Sequence, residues 1–237
     1  MSGIFQSREE AGHQLAAELL RYRDDPRGLI LALPRGGVAV GYQLSLSLHL
    51  PLDVFITRKI GAPDNPEYAM GAVAETGSRY LNQAAIRMCA LSQHELDRLI
   101  QVQENELSRR KDLYRQGRPL SQLTGRIVLL VDDGIATGST FIASAQAIRS
   151  LQPSRLVGVL PVGPPSTIRE VRAHVDELVV LMSPDPFYAV GNFFVDFTQM
   201  EDRDVVEYLR LAEEAMHERP PSPSAASSTL FTREGKP

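Results

Sequence analysis

The order of apolar and polar positions divides this chain into alternating helices and strands. Ser7 and Glu10 form a Ser-x-x-Glu capping box, and Ala11, Leu15 and Leu19 then recur at helical spacing, which predicts an opening amphipathic helix to about Arg23. The apolar run GLILALP predicts a short buried strand ending at Pro34, followed by the loop RGG and a helix over about 38–49. LDVFITRKIG, residues 52–61, predicts a second strand that ends in Arg58 and Lys59. Residues 61–80 are rich in Gly and Pro and hold one strand-like piece, GAVAE. A second capping box, Ser92 with Glu95, opens a long charged helix through Arg115, in which Leu96, Leu99, Val102 and Leu107 make a narrow apolar stripe.

GRIVLLVDDG is the strongest strand pattern, and STFIASAQAIRSLQP predicts a helix stopped by Pro153. RLVGVLPV, STIREVRAHV and ELVVLM continue the alternation, before a loop containing SPDPFYAVG and a last helix over about 202–217. The pattern predicts an α/β fold, a mostly parallel twisted sheet flanked by helices, as one domain over residues 1–217 with an insertion at 61–115. Residues 218–237 are dominated by Pro, Ser and Ala, supply too little apolar surface to offset the entropy of ordering them, and are expected to be a disordered tail.

Composition narrows the functional classes. A formal net charge of -4 over 237 residues gives no electrostatic case for nucleic acid or an anionic membrane, and no basic helix-turn-helix extension is present. The longest charge-free stretch, Gly36 to Leu52, contains Gly, Ser, Gln, His and Pro and falls short of a membrane span. Cys89 is the single cysteine and cannot form an internal disulfide, and the N-terminus is acidic where a secretory signal is basic, so a cytoplasmic setting is expected.

In a parallel sheet the loops after the strands open on one edge, where ligands bind. Three such loops stand out: PRGG, RKIG and DDGIATGST. In the last, Gly134 and Gly138 allow tight turns, and Ala136, Thr137, Gly138, Ser139 and Thr140 lead into a helix whose first N–H groups are free to cradle a phosphate. Asp132 and Asp133 would repel that phosphate, so they face another part of the ligand, where carboxylates suit a vicinal diol and Mg²⁺. Arg35, with Gly36 and Gly37 allowing close backbone approach, and Arg58 or Lys59 can take a second anion. The implied ligand is a phosphorylated sugar with a further anionic group, bridged by Mg²⁺.

VLLVDDGIATGST resembles the 5-phosphoribosyl 1-diphosphate (PRPP) signature of type I phosphoribosyltransferases, and LPRGG resembles the pyrophosphate loop of that family. The resemblance spans roughly Ser7 to Met216 by element order. It implies that Asp132 and Asp133 bind the ribose hydroxyls, that Ala136 to Thr140 hold the 5-phosphate, that Arg58 or Lys59 serves the pyrophosphate end, and that residues 61–115 include a mobile loop closing over PRPP. RKIGAPDNPEYAMGAVAE with PDPFYAVG is similar to a group of predicted phosphoribosyltransferases without a named acceptor. The implied activity is Mg²⁺-dependent transfer of ribose 5-phosphate to a small-molecule acceptor such as a nucleobase. The alternative is a PRPP-binding sensor without turnover.

Ala136 stands where 6-oxopurine enzymes usually carry an aspartate, which argues against hypoxanthine or guanine as the acceptor. Glu75 is the candidate acid or base by elimination, and Phe187 and Tyr188 are candidates to stack on a base, with core packing as their other reading. The chain lacks Gly-x-Gly-x-x-Gly and P-loop patterns, and an Asp-Asp pair in a receiver domain would follow the first strand instead. The five histidines show no metal-ligand spacing, and Cys89 has no activating partner. RRK at 109–111 reads as a solvated helix face that could also serve a subunit contact in a homo-oligomer.

Overall fold

Five apolar runs pair into a parallel central sheet. In the computed structural model, which describes residues 4–218, β1 (Gly28–Ala32), β2 (Leu52–Val54), β6 (Ile127–Val131), β7 (Arg155–Val162) and β8 (Glu177–Met182) lie in the order β2-β1-β6-β7-β8. Every residue of β1 and β6 is buried, as a central parallel strand covered on both faces requires. Alternate residues serve opposite layers. Leu29, Leu31, Val128 and Leu130 pack with Phe141 and Ile148 of α5 (Ser139–Ser150) and Val171 of α6 (Pro165–Arg172). Ile30, Leu129 and Val131 pack with Leu15 of α1 (Arg8–Glu18) and Val40 and Leu44 of α2 (Gly37–Leu48). Half of the predicted capping box forms: the Ser7 hydroxyl accepts from the Glu10 N–H, while the Glu10 carboxylate accepts from the Gln6 N–H in place of that of Ser7.

The run LDVFITRKIG is not one strand. It leaves the central sheet after Val54, buries Phe55 and Ile56, and re-enters at Thr57 as the first strand of a separate antiparallel sheet. That sheet is β3 (Thr57–Ala62), β4 (Asn65–Ala74) and β5 (Arg79–Leu81). Apolar residues continue through the bend, so periodicity alone does not reveal it. The Gly-rich segment is likewise mostly strand: at Gly71 a side chain would come within 2.3 Å of the Tyr80 carbonyl oxygen, so glycine here serves close strand approach rather than a turn.

A short helix, α3 (Gln83–Met88), leads to α4 (Gln93–Arg115), which has the predicted capping box. The buried stripe of α4 is Leu96, Ile100, Leu107 and Tyr114, whereas Val102 is 59% exposed, so the expected stripe is rotated. These residues pack with Ile60, Met70 and Val73 of the second sheet and with Val205 and Leu209 of α7 (Asp202–His217). The predicted tail lies outside the described residues, apart from Glu218. Among the described residues, no helix is long and apolar enough to cross a membrane.

The insertion is fastened to the central sheet by Arg115, whose side chain is 4% exposed. Its Nη2 donates to Glu75 Oε1 at 2.9 Å and its Nη1 to Glu75 Oε2, while its Nε donates to Asp53 Oδ1 at 3.1 Å. Glu75 Oε1 also accepts from the Ile56 N–H at 2.8 Å, and Asp53 Oδ2 accepts from the Ser121 hydroxyl at 2.9 Å. A second tie runs from the Ser144 hydroxyl on α5 to Thr57 Oγ1 on β3, at 2.8 Å. Breaking a buried ion pair from one side strands the other charge. Glu75→Ala should therefore lower the unfolding free energy by about 3 kcal/mol in urea denaturation; a loss below about 1 kcal/mol would mean that Asp53 alone satisfies Arg115.

Candidate active site

The site is built where β1 and β6, neighbours in the sheet, end side by side. The Leu33 N–H donates to the Val131 carbonyl at 2.8 Å, which holds the two exit loops together. Between them the backbones approach so closely that side chains are excluded. A Cβ at Gly36 would lie 1.8 Å from Asp133 Oδ2 and 2.4 Å from its Cγ, and one at Gly37 would lie 2.8 Å from the Val131 oxygen and 2.9 Å from the Asp132 Cα. The glycines of PRGG are thus required by the protein's own acidic loop, before any ligand is considered.

Asp132 and Asp133 bend back on each other, the Asp133 N–H donating to Asp132 Oδ1 at 2.9 Å. Burial, then the charge of Asp133, pushes the Asp132 carboxyl well above its ordinary value of 3.8; the backbone N–H and Arg8 oppose that shift. Arg8 meets the pair directly, its Nε donating to Asp133 Oδ2 at 2.7 Å.

The Thr-Gly segment forms the second part. Gly134 has φ of +145° and packs under Val190 and Val162, and Gly138 has φ of +70° as the N-cap of α5. No side chain caps this helix, so the N–H groups of its first turn have no partner from within the helix. The Thr167 hydroxyl on α6 donates to the Ala136 oxygen at 2.8 Å and anchors the loop from behind. Ala136 and Thr137 are exposed, and the hydroxyls of Thr137 and Ser139 lie 3.3 Å apart at the same helix end.

The cationic part differs from expectation. Arg58 and Lys59 are consecutive residues within β3, not a loop, and so project to opposite faces of that strand. Arg58 is held by Gln103 on α4, its Nε donating to Oε1 at 3.1 Å. Burial, followed by the charge of Arg110 and more weakly that of Arg35, lowers the Arg58 guanidinium, while Glu106 and Tyr114 act the other way. Arg35, Arg58 and Arg110 therefore share one electrostatic neighbourhood. RRK is not a uniformly solvated face: Arg109 is half-exposed and pairs with Glu106 and Asp202, whereas Arg110 is turned inward, 14% exposed, with its Nε on Glu106 Oε1 at 2.7 Å.

Other predicted residues are placed elsewhere. Glu75, the candidate acid or base, has both oxygens committed to the buried Arg115 pair and is a structural residue here. Phe187 stacks on Phe193 with centroids 5.2 Å apart, both half-buried against the small cluster of Phe5 and Phe194, and Tyr188 is 80% exposed. Among the described residues no group of three or more His, Cys, Asp or Glu could hold a metal. Asp132 Oδ1 and Asp133 Oδ2 are occupied, which leaves one oxygen on each. Such a donor set is too small for an all-protein cage and fits an ion shared with ligand phosphates and water, as Mg²⁺ commonly is. Arg8 was not anticipated from the sequence. A signal was present in SREE, since a cation in the first turn opposes the helix dipole unless a carboxylate elsewhere compensates. A cavity of about 420 Å³ opens beside Arg8, lined among others by Ser7, Thr198, Gln199 and Tyr208.

An open parallel sheet whose glycine-tight loops, acidic pair and uncapped helix meet at its carboxyl edge defines the α/β class that binds small molecules at that edge. Comparison with known proteins supplies the family. Residues 4–194 match the phosphoribosyl transferase domain family, and the chain belongs to it. Two relatives from strains of Mycobacterium tuberculosis, MT0597 and Rv0571c, which carry provisional phosphoribosyl transferase names, are 39% identical over 231 residues covering 98% of this chain. The chain spans 52% of their length. TT1426 from Thermus thermophilus is similar in structure, with a TM-score of 0.74 and 38% identity over 87% of this chain and 97% of that one.

Two outcomes follow from the packing of the acidic loop. Gly36→Ala should force Asp133 aside and cost about 1–3 kcal/mol of stability by overpacking, measurable in urea. For Asp132, a folded-state pKa raised above 3.8 means that ionisation costs stability as pH climbs from about 4 through the raised value. Asp132→Asn removes that cost. Its melting temperature should match the wild type near pH 4 and exceed it as pH rises, the gain levelling off above the raised pKa, and a difference independent of pH from about 4 upward would contradict the assignment.

Proposed function

We propose that the chain is a Mg²⁺-dependent phosphoribosyltransferase that moves ribose 5-phosphate from PRPP to a nitrogen of a small-molecule acceptor and releases pyrophosphate. The observation that carries this reading is the placement, in one loop, of an acidic pair and an uncapped helix N-terminus a few residues apart, against the glycine-tight PRGG loop. The N–H groups of α5 and the hydroxyls of Thr137, Ser139 and Thr140 suit the 5-phosphate. The remaining oxygens of Asp132 and Asp133 suit the ribose 2- and 3-hydroxyls. Arg35 and Arg58, sharing one field with Arg110, suit the pyrophosphate.

In the transfer, the bond from C1 to the pyrophosphate oxygen breaks as the bond from C1 to the acceptor nitrogen forms, and the nitrogen's proton passes to solvent or to a base. Mg²⁺, when bound, supplies charge neutralisation to the departing pyrophosphate. The chain's own share is electrostatic: cations at the leaving group and carboxylates near the sugar, where positive charge develops at C1. With Glu75 spent on Arg115 and Phe187 on Phe193, neither is offered for catalysis or stacking, and exposed Tyr188 remains the aromatic for the acceptor. Ala136 disfavours a 6-oxopurine acceptor.

The decisive experiment measures pyrophosphate release from PRPP with Mg²⁺ across a panel of nucleobases and related amines. Turnover with at least one acceptor is expected, with Asp133→Asn and Arg35→Ala each reducing kcat/KM at least about tenfold. PRPP binding without turnover would favour a sensor instead, and unchanged PRPP affinity in both variants would overturn the site.

A further inference from the structure

Resting on the reading of Asp132 and Asp133 as the sugar-binding pair, we propose that Arg8 is a positioning residue: it sets the Asp133 carboxylate toward the sugar hydroxyls and joins it to the Phe197–Thr198 segment. The guanidinium is held by two directed bonds and one stacked face. Nε donates to Asp133 Oδ2 at 2.7 Å, Nη1 donates to the Thr198 carbonyl at 3.0 Å, and the planar face lies over the Phe197 ring with its carbon 3.9 Å from the centroid. The Arg8 and Asp133 side chains are only 10% and 14% exposed, so solvent screens this pair weakly.

The supports of Arg8 are themselves fixed. Phe197 packs on Phe194 with centroids 5.0 Å apart, and Phe194 on Phe5 at 5.3 Å. A side chain at Gly191 would lie 2.9 Å from the Phe197 ring, and one at Gly36 would lie 3.0 Å from Arg8 Nε. Arg8 is thus enclosed between the first loop, the acidic loop and the segment leading to α7. Holding Oδ2 restrains the carboxylate and leaves Oδ1 for the sugar hydroxyls. The same loop, between β8 and α7, carries Tyr188, so the arginine joins the sugar end of the site to the side assigned to the acceptor. Lysine has a single point charge and cannot reproduce two directed bonds and a stacked plane together.

The test titrates three probes, PRPP, ribose 5-phosphate and inorganic pyrophosphate, each with Mg²⁺, into the full chain and its variants. Arg8→Gln is expected to bind PRPP and ribose 5-phosphate about tenfold more weakly, with pyrophosphate affinity within about twofold of wild type. Arg8→Lys should recover only part of the loss. The double variant Arg8→Gln with Asp133→Asn should bind no more weakly than Asp133→Asn alone, because both act through one carboxylate. Phe197→Leu, which keeps an apolar side chain and leaves Arg8 in place, should weaken the two sugar ligands about threefold. Wild-type affinities in Arg8→Gln or Phe197→Leu, an equal loss for all three probes, or additive effects in the double variant would overturn the positioning role. A wild-type protein that binds pyrophosphate but neither sugar phosphate would overturn the sugar-site reading itself, and this inference with it.

Discussion

The packing at the carboxyl edge depends on one contact: a backbone without side chains at Gly36 and Gly37 pressed against the carboxylates of Asp132 and Asp133. Two adjacent like charges at the end of a buried strand repel each other and resist burial, as the upward shift of Asp132 records. They persist there because the first loop comes close enough to fix them, a backbone N–H reaches one, and Arg8 reaches the other. That closeness in turn requires β1 beside β6, since only adjacent strands deliver their exit loops to one place.

The cost of this arrangement is met elsewhere in the fold. Continuous apolar burial on both faces of β1 and β6 supplies the core, and the Arg115 network ties the second sheet to the first through Glu75 and Asp53. The network gives the guanidinium two carboxylates and a backbone carbonyl as acceptors, which a buried ion pair needs if it is not to destabilise the fold. It also explains why a carboxylate in the insertion is not free for chemistry. The second sheet and α4 bring Arg58 and Arg110 into the field of Arg35, so their attachment is part of how the cations are gathered.

Most of the central sheet was legible in the sequence, because parallel strands are unbroken apolar runs and their helices carry caps and periodic faces. Ser7, Ser92 and the DDGIATGST loop are local signals, decided by residues three to five positions apart. What was not legible depends on distant partners. The bend at Phe55 and Ile56 is hidden in a run that stays apolar while changing sheets. The reason for a glycine at Gly71 was not readable, because the strand that crowds it, at Tyr80, is not its neighbour in the chain. Glu75 was a candidate only while its partner, forty residues on, was out of view. Of the unexpected residues, Arg8 alone left a trace, a cation placed against its own helix dipole.

That misplaced charge also clarifies how the two halves of the acidic pair differ. Asp132 meets a backbone N–H and its carboxyl is pushed upward, whereas Asp133 is met by a cation reaching in from a helix 125 residues earlier in the chain. A carboxylate bonded to water alone rotates more freely than one bonded to a guanidinium that is itself stacked and anchored. The acidic loop is therefore short and glycine-bounded not to be flexible but because its direction is set from outside. Orientation supplied by Arg8, and spacing supplied by Gly36, turn two adjacent aspartates from an electrostatic liability into a directed pair of acceptors.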